Sequence, residues 1–148
     1  MSDPGDQIRF HILLVEDNQP DALVVRQALR MQGWDASIHE ITDAEAACGY
    51  IGRIGRDADA PLPDIMIVDL SLPRGDGLEV VRAFRDRQEC ASTPVIVMTS
   101  SESPEAKSAA ARLGNIRYFR KPLDLDSFLA IGALAREMLS HGSWAGSP

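Results

Sequence analysis

Oxygen-bearing side chains follow three separate apolar runs in this chain. Glu16 and Asp17 come after Ile12-Leu13-Leu14-Val15, Asp69 after Ile65-Met66-Ile67-Val68, and Thr99 after Val95-Ile96-Val97-Met98. An unbroken run of β-branched and long aliphatic side chains bounded by turn residues reads as a strand buried on both faces. In an open parallel sheet with helices on both sides, ligands sit beyond the carboxyl ends of the strands, where the strand order reverses. One Asp after a strand is ordinarily a cap or a turn residue, but three strand ends offering oxygen together point to a site. Three carboxylates in a small pocket repel one another and are costly to ionise together without a cation. Mg²⁺ resolves that repulsion, because it prefers oxygen, keeps several waters and is held by one or two carboxylates plus phosphate oxygens. Asp17 and Asp69 suit direct coordination, and Glu16 suits coordination through water. A carboxylate oxygen of Asp69 can then attack phosphorus in line, while a lysine and the metal neutralise the equatorial oxygens. Lys121, just past a fifth apolar segment, supplies that ammonium. Thr99 offers a hydroxyl to the phosphoryl group, and Ser100 is small enough to leave it access.

Five strands alternating with five helices must hold these residues. Phe10 to Val15 is the first strand. Pro20 suits the first turn of a helix running to Gln32, with Gly33 as its left-handed stop. Ala36 to Ile41 is polar enough for a sheet edge, and Thr42 or Asp43 caps a helix to about Arg53. Arg56 to Pro63, rich in Asp, Ala and Pro, reads as a loop before the central strand. Asp76 or Gly77 opens the third helix, which extends to about Arg87. Ser103-Pro104-Glu105 opens the fourth, which runs to Leu113 before Gly114. Ile116 to Phe119 is the fifth strand, and Asp124 starts a last helix to roughly Ser140. This alternation implies a parallel α/β sheet built from right-handed crossovers in one domain. The boundaries expected are a loose arm at residues 1–8, a folded domain at 9–140 and a tail at 141–148.

Composition narrows the class. Of 148 residues, 45% are hydrophobic and 25% charged, which suits one domain with a proper core. A net charge of −7 disfavours nucleic acid, whose recognition needs a basic face. No apolar run is long enough for a bilayer and no basic-plus-apolar leader is present, so a cytoplasmic location is expected. Cys48, Cys90 and the three histidines lack metal-ligand spacing.

The Glu16-Asp17 pair, the Asp69-Leu70-Ser71-Leu72-Pro73 turn with Gly77, Thr99, and Lys121-Pro122 together resemble the receiver domain of bacterial response regulators, over nearly the whole chain. The resemblance implies a flavodoxin-like (βα)5 doubly wound fold and an aspartate that takes phosphate from a sensor histidine kinase. It makes Asp69 the phosphoacceptor and Glu16 and Asp17 the acid pair. It further makes Ser71 the backbone-carbonyl ligand of Mg²⁺, Thr99 the switch hydroxyl, Tyr118 the switch aromatic and Lys121 the invariant lysine. It also implies a cis Lys121-Pro122 bond. Val15-Glu16-Asp17-Asn18 with Pro20-Asp21, the long loop before the central strand, Thr99-Ser100-Ser101 and a Trp-bearing tail resemble the stand-alone regulators paired with phytochrome kinases.

Two functions follow from this chemistry. One is a phosphorylation-operated signalling module, not an enzyme beyond slow self-dephosphorylation, that acts by contact. The other is a haloacid-dehalogenase-like phosphohydrolase working through an aspartyl-phosphate, which generally needs a second Asp two residues after the nucleophile, where this chain has Ser71. The last helix adds an expectation of its own. Leu125, Phe128, Leu129, Gly132, Ala135 and Leu139 form one apolar arc, which should pack on the sheet. Ile131, Leu134 and Met138 form a second arc, expected to face outward as a homodimer or partner interface. The competing arrangement folds Trp144 back over that second arc within the monomer.

Overall fold

A computed structural model describes residues 9–100 and 103–145, with the side chains of 141–145 excepted. The expected arm at residues 1–8, Ser101 and the Trp144 side chain lie outside what is described. Five strands form one parallel sheet: β1 (Arg9–Val15), β2 (Asp35–Ile41), β3 (Ile65–Asp69), β4 (Val95–Thr99) and β5 (Ile116–Arg120), in the order β2-β1-β3-β4-β5. The order reverses between β1 and β3, so their carboxyl ends flank the crevice in which a doubly wound sheet binds ligands. The three inner strands carry the apolar runs, and every residue of β3 and β4 is buried. The edge strand β2 alternates as its polar content predicts.

The helices are α1 (Gln19–Arg30), α2 (Ala44–Arg53), α3 (Gly77–Asp86), α4 (Pro104–Ala111), α5 (Leu125–Phe128) and α6 (Ala130–Ala145), with a 3-10 turn at Gln88–Cys90. Each of the first five starts at a side-chain cap that satisfies an orphan N–H. Asn18 accepts from Asp21, Asp43 from Ala46, Asp76 from Glu79, Ser103 from Ala106 and Asp124 from Ser127. One core packs α2, α3 and α4 on one face of the sheet, around Leu13, Met66, Val68 and Phe84. The other packs α1, α5 and α6 on the opposite face, around Ile12, Leu14, Ile67 and Met98.

Four expectations need correction. The last helix is not continuous from Asp124, because a turn at Leu129 separates the single turn α5 from α6, and α6 runs past Ser140 to Ala145. The second apolar arc does not face outward: Ile131 and Met138 are buried and Leu134 is half-buried, all within the core shared with α1. The physical reason is that α6 lies in the groove between the sheet and α1, so it has two surfaces to pack on rather than one. Gly132 permits that approach, since a Cβ there would stand 2.3 Å from the carbonyl oxygen of Ala28 on α1. The outward-facing interface of Ile131, Leu134 and Met138 is therefore withdrawn. Leu125, assigned to the core arc, is exposed. Finally, Lys121-Pro122 is trans, as are all the described peptide bonds; proline weakens the trans preference without reversing it.

Candidate functional site

The carboxyl ends of β1, β3, β4 and β5 bring the expected residues together. Asp69 ends β3 and is buried, and its placement is fixed by the backbone on either side. The Leu70 N–H donates to the Met98 carbonyl (2.9 Å) and the Gly77 N–H to the Leu70 carbonyl (2.9 Å). Gly77 cannot carry a side chain, because a Cβ would lie 2.3 Å from the Asp69 carbonyl oxygen. The β3–α3 loop is pinned to α2 where the Ala44 N–H meets the Pro73 carbonyl at 3.1 Å. Thus α3 starts against the backbone of the residue it must support.

The two Asp69 oxygens have different partners. Oδ1 accepts from the Ser71 N–H at 2.9 Å, while Oδ2 accepts from the Lys121 Nζ at 2.5 Å. Lys121 is held in turn by its own N–H, which donates to the Thr99 carbonyl at 2.7 Å. Its ammonium also lies 2.8 Å from Asp21 Oδ2 and 2.6 Å from Glu16 Oε1. The Glu16 contact is an ion pair rather than an aligned hydrogen bond, and that buried oxygen has no hydrogen-bond partner among the described residues. Its other oxygen accepts from the Asn18 N–H at 3.2 Å.

Glu16, Asp17 and Asp69 each present a carboxylate oxygen, all within 4.8 Å of one another, with Glu16 and Asp69 buried and Asp17 exposed. Burial pushes the Glu16 carboxyl up to about 7, the neighbouring Asp69 adds to this, and the Lys121 ammonium opposes it. Burial alone would lower the Lys121 ammonium, but its contacts with Asp21, Asp69 and Glu16 outweigh that and hold it above the ordinary lysine value. These are the marks of a pocket with more anions than one ammonium neutralises. The orphaned Glu16 oxygen beside two further carboxylates fits a hard divalent cation, which takes oxygen ligands and tolerates water between.

Thr99 ends β4 and is buried, while Ser100 beside it is exposed and leaves the site open. Ser71 is exposed, with its N–H already turned to Asp69. Tyr118 pairs with Val97 in the sheet, two positions before Thr99 pairs with Arg120. Its ring is half-buried on the α2/α3/α4 side, the Lys107 ammonium stands 5.5 Å from its centroid, and its hydroxyl is buried without a hydrogen-bond partner among the described residues. Ile131, Leu134 and Met138 lie in the opposite core and not at this site. The sequence reading missed Asp21 as a partner of Lys121, one hundred residues away along the chain. The one local signal was its place in the first turn of α1, directly beyond the strand end that carries Glu16 and Asp17.

Comparison with known proteins gives a consistent match. A family model for the response regulator receiver domain covers residues 12–131. The response regulator Rcp1 of Synechocystis is 30% identical over 125 residues, covering 84% of this chain and 84% of Rcp1. Among solved structures, the phosphorylated cyanobacterial phytochrome response regulator RcpA is 27% identical with a TM-score of 0.80, over 90% of this chain and 96% of that one. The Mn²⁺-bound form of Rcp1 is 26% identical with a TM-score of 0.72, over 94% and 96%.

Proposed function

This chain belongs to the response regulator receiver domain family of two-component systems, and on that premise we propose that Asp69 is its phosphoacceptor. The observation that carries the assignment is the Asp69 carboxylate, buried at the end of the central strand, 2.5 Å from the Lys121 ammonium and grouped with Glu16 and Asp17. A sensor histidine kinase is the donor. An Asp69 oxygen forms the new bond to phosphorus as the bond from phosphorus to the donor's leaving atom breaks. Lys121 is placed to exchange its contact with Asp69 for a phosphoryl oxygen, and Thr99 lies on the adjacent strand end to meet the same group.

Mg²⁺ would be held by Asp17, Asp69 and the Ser71 carbonyl, with Glu16 through water, and when bound it neutralises charge on the phosphoryl oxygens. The clustered carboxylates support a divalent cation, and the Mn²⁺-bound form of Rcp1 supports the same reading. Thr99 and Tyr118 couple the phosphorylated state to the surface around α4 and β5. The Tyr118 hydroxyl supports this, since it is a polar end without a hydrogen-bond partner among the described residues. The kinase is phytochrome-linked, a reading supported by the likeness to a phytochrome response regulator. The folded unit is residues 9–140 with α6 carrying it on to Ala145, and its place of work is the cytoplasm. No described helix is long and apolar enough to cross a membrane.

The phosphohydrolase alternative has no support. The family match is to the receiver domain, and Ser71 stands where the second Asp of such an enzyme is needed. Loss of phosphate from Asp69 is therefore slow hydrolysis rather than turnover of a free substrate. Incubation with Mg²⁺ and acetyl phosphate, followed by intact mass measurement, tests the assignment. Wild type should gain one phosphoryl group and Asp69→Asn none. An equal gain in both proteins would refute it.

A further inference from the structure

Asp21 is the carboxylate around Lys121 that neither the acid pair nor the acceptor accounts for. It sits in the first turn of α1, and its N–H is fixed at 3.0 Å from the Asn18 side chain. Its Oδ2 lies 2.8 Å from the Lys121 Nζ. Both ends of this pair are anchored by backbone: Asp21 through the Asn18 cap, Lys121 through its N–H on the Thr99 carbonyl. The Asp21 side chain is about a quarter exposed and that of Lys121 only 8%, so the pair forms the rim of the pocket with the ammonium on its inner side.

Resting on the phosphoacceptor reading above, we propose that Asp21 is a positioning residue that tethers the Lys121 ammonium while its contact with Asp69 is exchanged for the incoming phosphoryl group. The ammonium has three protons and, here, three carboxylate neighbours. Phosphorylation turns the Asp69 oxygen into part of an acyl phosphate, which accepts hydrogen bonds far less well than a carboxylate. Glu16 also stays, 2.6 Å from the ammonium, but it belongs to the carboxylate group that faces the cation. Asp21 takes no part in the bond-making at Asp69, so the lysine pivots about one fixed hydrogen bond instead of searching for a new position. A tether of this kind acts on the rate of transfer through placement of charge, and touches neither the donor nor the cation.

The test compares Asp21→Asn, which keeps the size and the N–H held by Asn18, with Asp21→Glu, which keeps the charge. With Mg²⁺ and acetyl phosphate, Asp21→Asn should take phosphate about three- to tenfold more slowly, less than the full worth of one lost hydrogen bond to a charged group because Glu16 still faces the ammonium. Asp21→Glu should recover most of that rate, and both variants should unfold at the wild-type temperature. A rate in Asp21→Asn at or above wild type overturns the proposal, as does an Asp21→Glu variant no faster than Asp21→Asn. A second measurement does not depend on phosphorylation. In ¹⁵N-labelled protein without donor, the Lys121 ammonium should give a slowly exchanging signal that is lost in Asp21→Asn and kept in Asp21→Glu. If wild type takes no phosphate, the phosphoacceptor reading falls, and this signal alone decides whether Asp21 holds the lysine. An unchanged signal in Asp21→Asn overturns the tether.

Discussion

Two nearly buried cations stand at opposite ends of the sheet, and they are bound in opposite ways. Lys121, at the carboxyl ends of the strands, is surrounded by the carboxylates of Glu16, Asp21 and Asp69. Arg87 follows α3, which starts at the carboxyl ends of the strands and so finishes at their amino ends. Its guanidinium donates to the carbonyls of Ile51 (2.5 Å) and Ile54 (2.6 Å), and beyond them to Glu89. Those two carbonyls belong to the last turn of α2 and its cap, where helix carbonyls run short of partners; the Ile51 carbonyl also accepts from the Ile54 N–H at 3.2 Å. Arg87 thus serves neutral backbone acceptors at a helix end, and it anchors the loop before β3. Lys121 serves anions that outnumber it, so its contact with Asp69 can be exchanged for another anion at modest cost. The difference between an anchor and a reactive centre lies here in the charge of the acceptors more than in the burial of the cation.

The largest effect expected is at the crowded end. Asp69→Asn removes one of the competing anions, so phosphate uptake should vanish while the thermal midpoint stays level or rises. A marked loss of stability on this change would break the contrast, because it would make Asp69 an anchor as well. Next in size is a lesion that belongs to neither end. Ile131→Ala should cost about 2–5 kcal/mol of unfolding free energy in urea titration, the usual range for emptying an aliphatic core position. A change in sedimenting mass without loss of stability would instead return Ile131 to a surface role.

Arg87→Ala should cost about 2–3 kcal/mol, because it leaves two carbonyls without a charged donor, and phosphorylation by acetyl phosphate should proceed at the wild-type rate in the folded protein. Slowed phosphorylation at full folding would show that the two ends are coupled. The smallest effect concerns Asp17, the exposed member of the acid group. Asp17→Asn should weaken divalent cation binding about tenfold, as a charged ligand becomes neutral, with little change in the unfolding midpoint without metal. Calorimetric titration with Mg²⁺ giving equal affinities would remove Asp17 from the cation site.

Much of the site was legible before any coordinates. Apolar runs ending in acids can be read from a single sequence, since a doubly buried strand needs an unbroken run and a turn must follow it. That was enough for Glu16, Asp17, Asp69 and Thr99, and the caps at Asp43, Asp76, Ser103 and Asp124 were equally local. Asp21 was less visible, because a carboxylate in the first turn of a helix is favourable for local reasons alone, and nothing nearby in sequence announces a lysine one hundred residues on.

The last helix shows the other limit. Its apolar periodicity gave two arcs correctly, but the number of surfaces available to cover them is a property of the assembled layers. Gly132 marks the point: in the sequence it is a weak helix residue, whereas in the fold it is where α6 meets the Ala28 carbonyl of α1 closely enough to bury Ile131 and Met138. The sequence by itself therefore determined the strand order of chemistry, the acids and the lysine, because each depends on residue type and neighbours along the chain. Only the tertiary structure decided which anions share that lysine and which faces of α6 meet water, because both depend on distances between segments that the chain brings together only after it has folded.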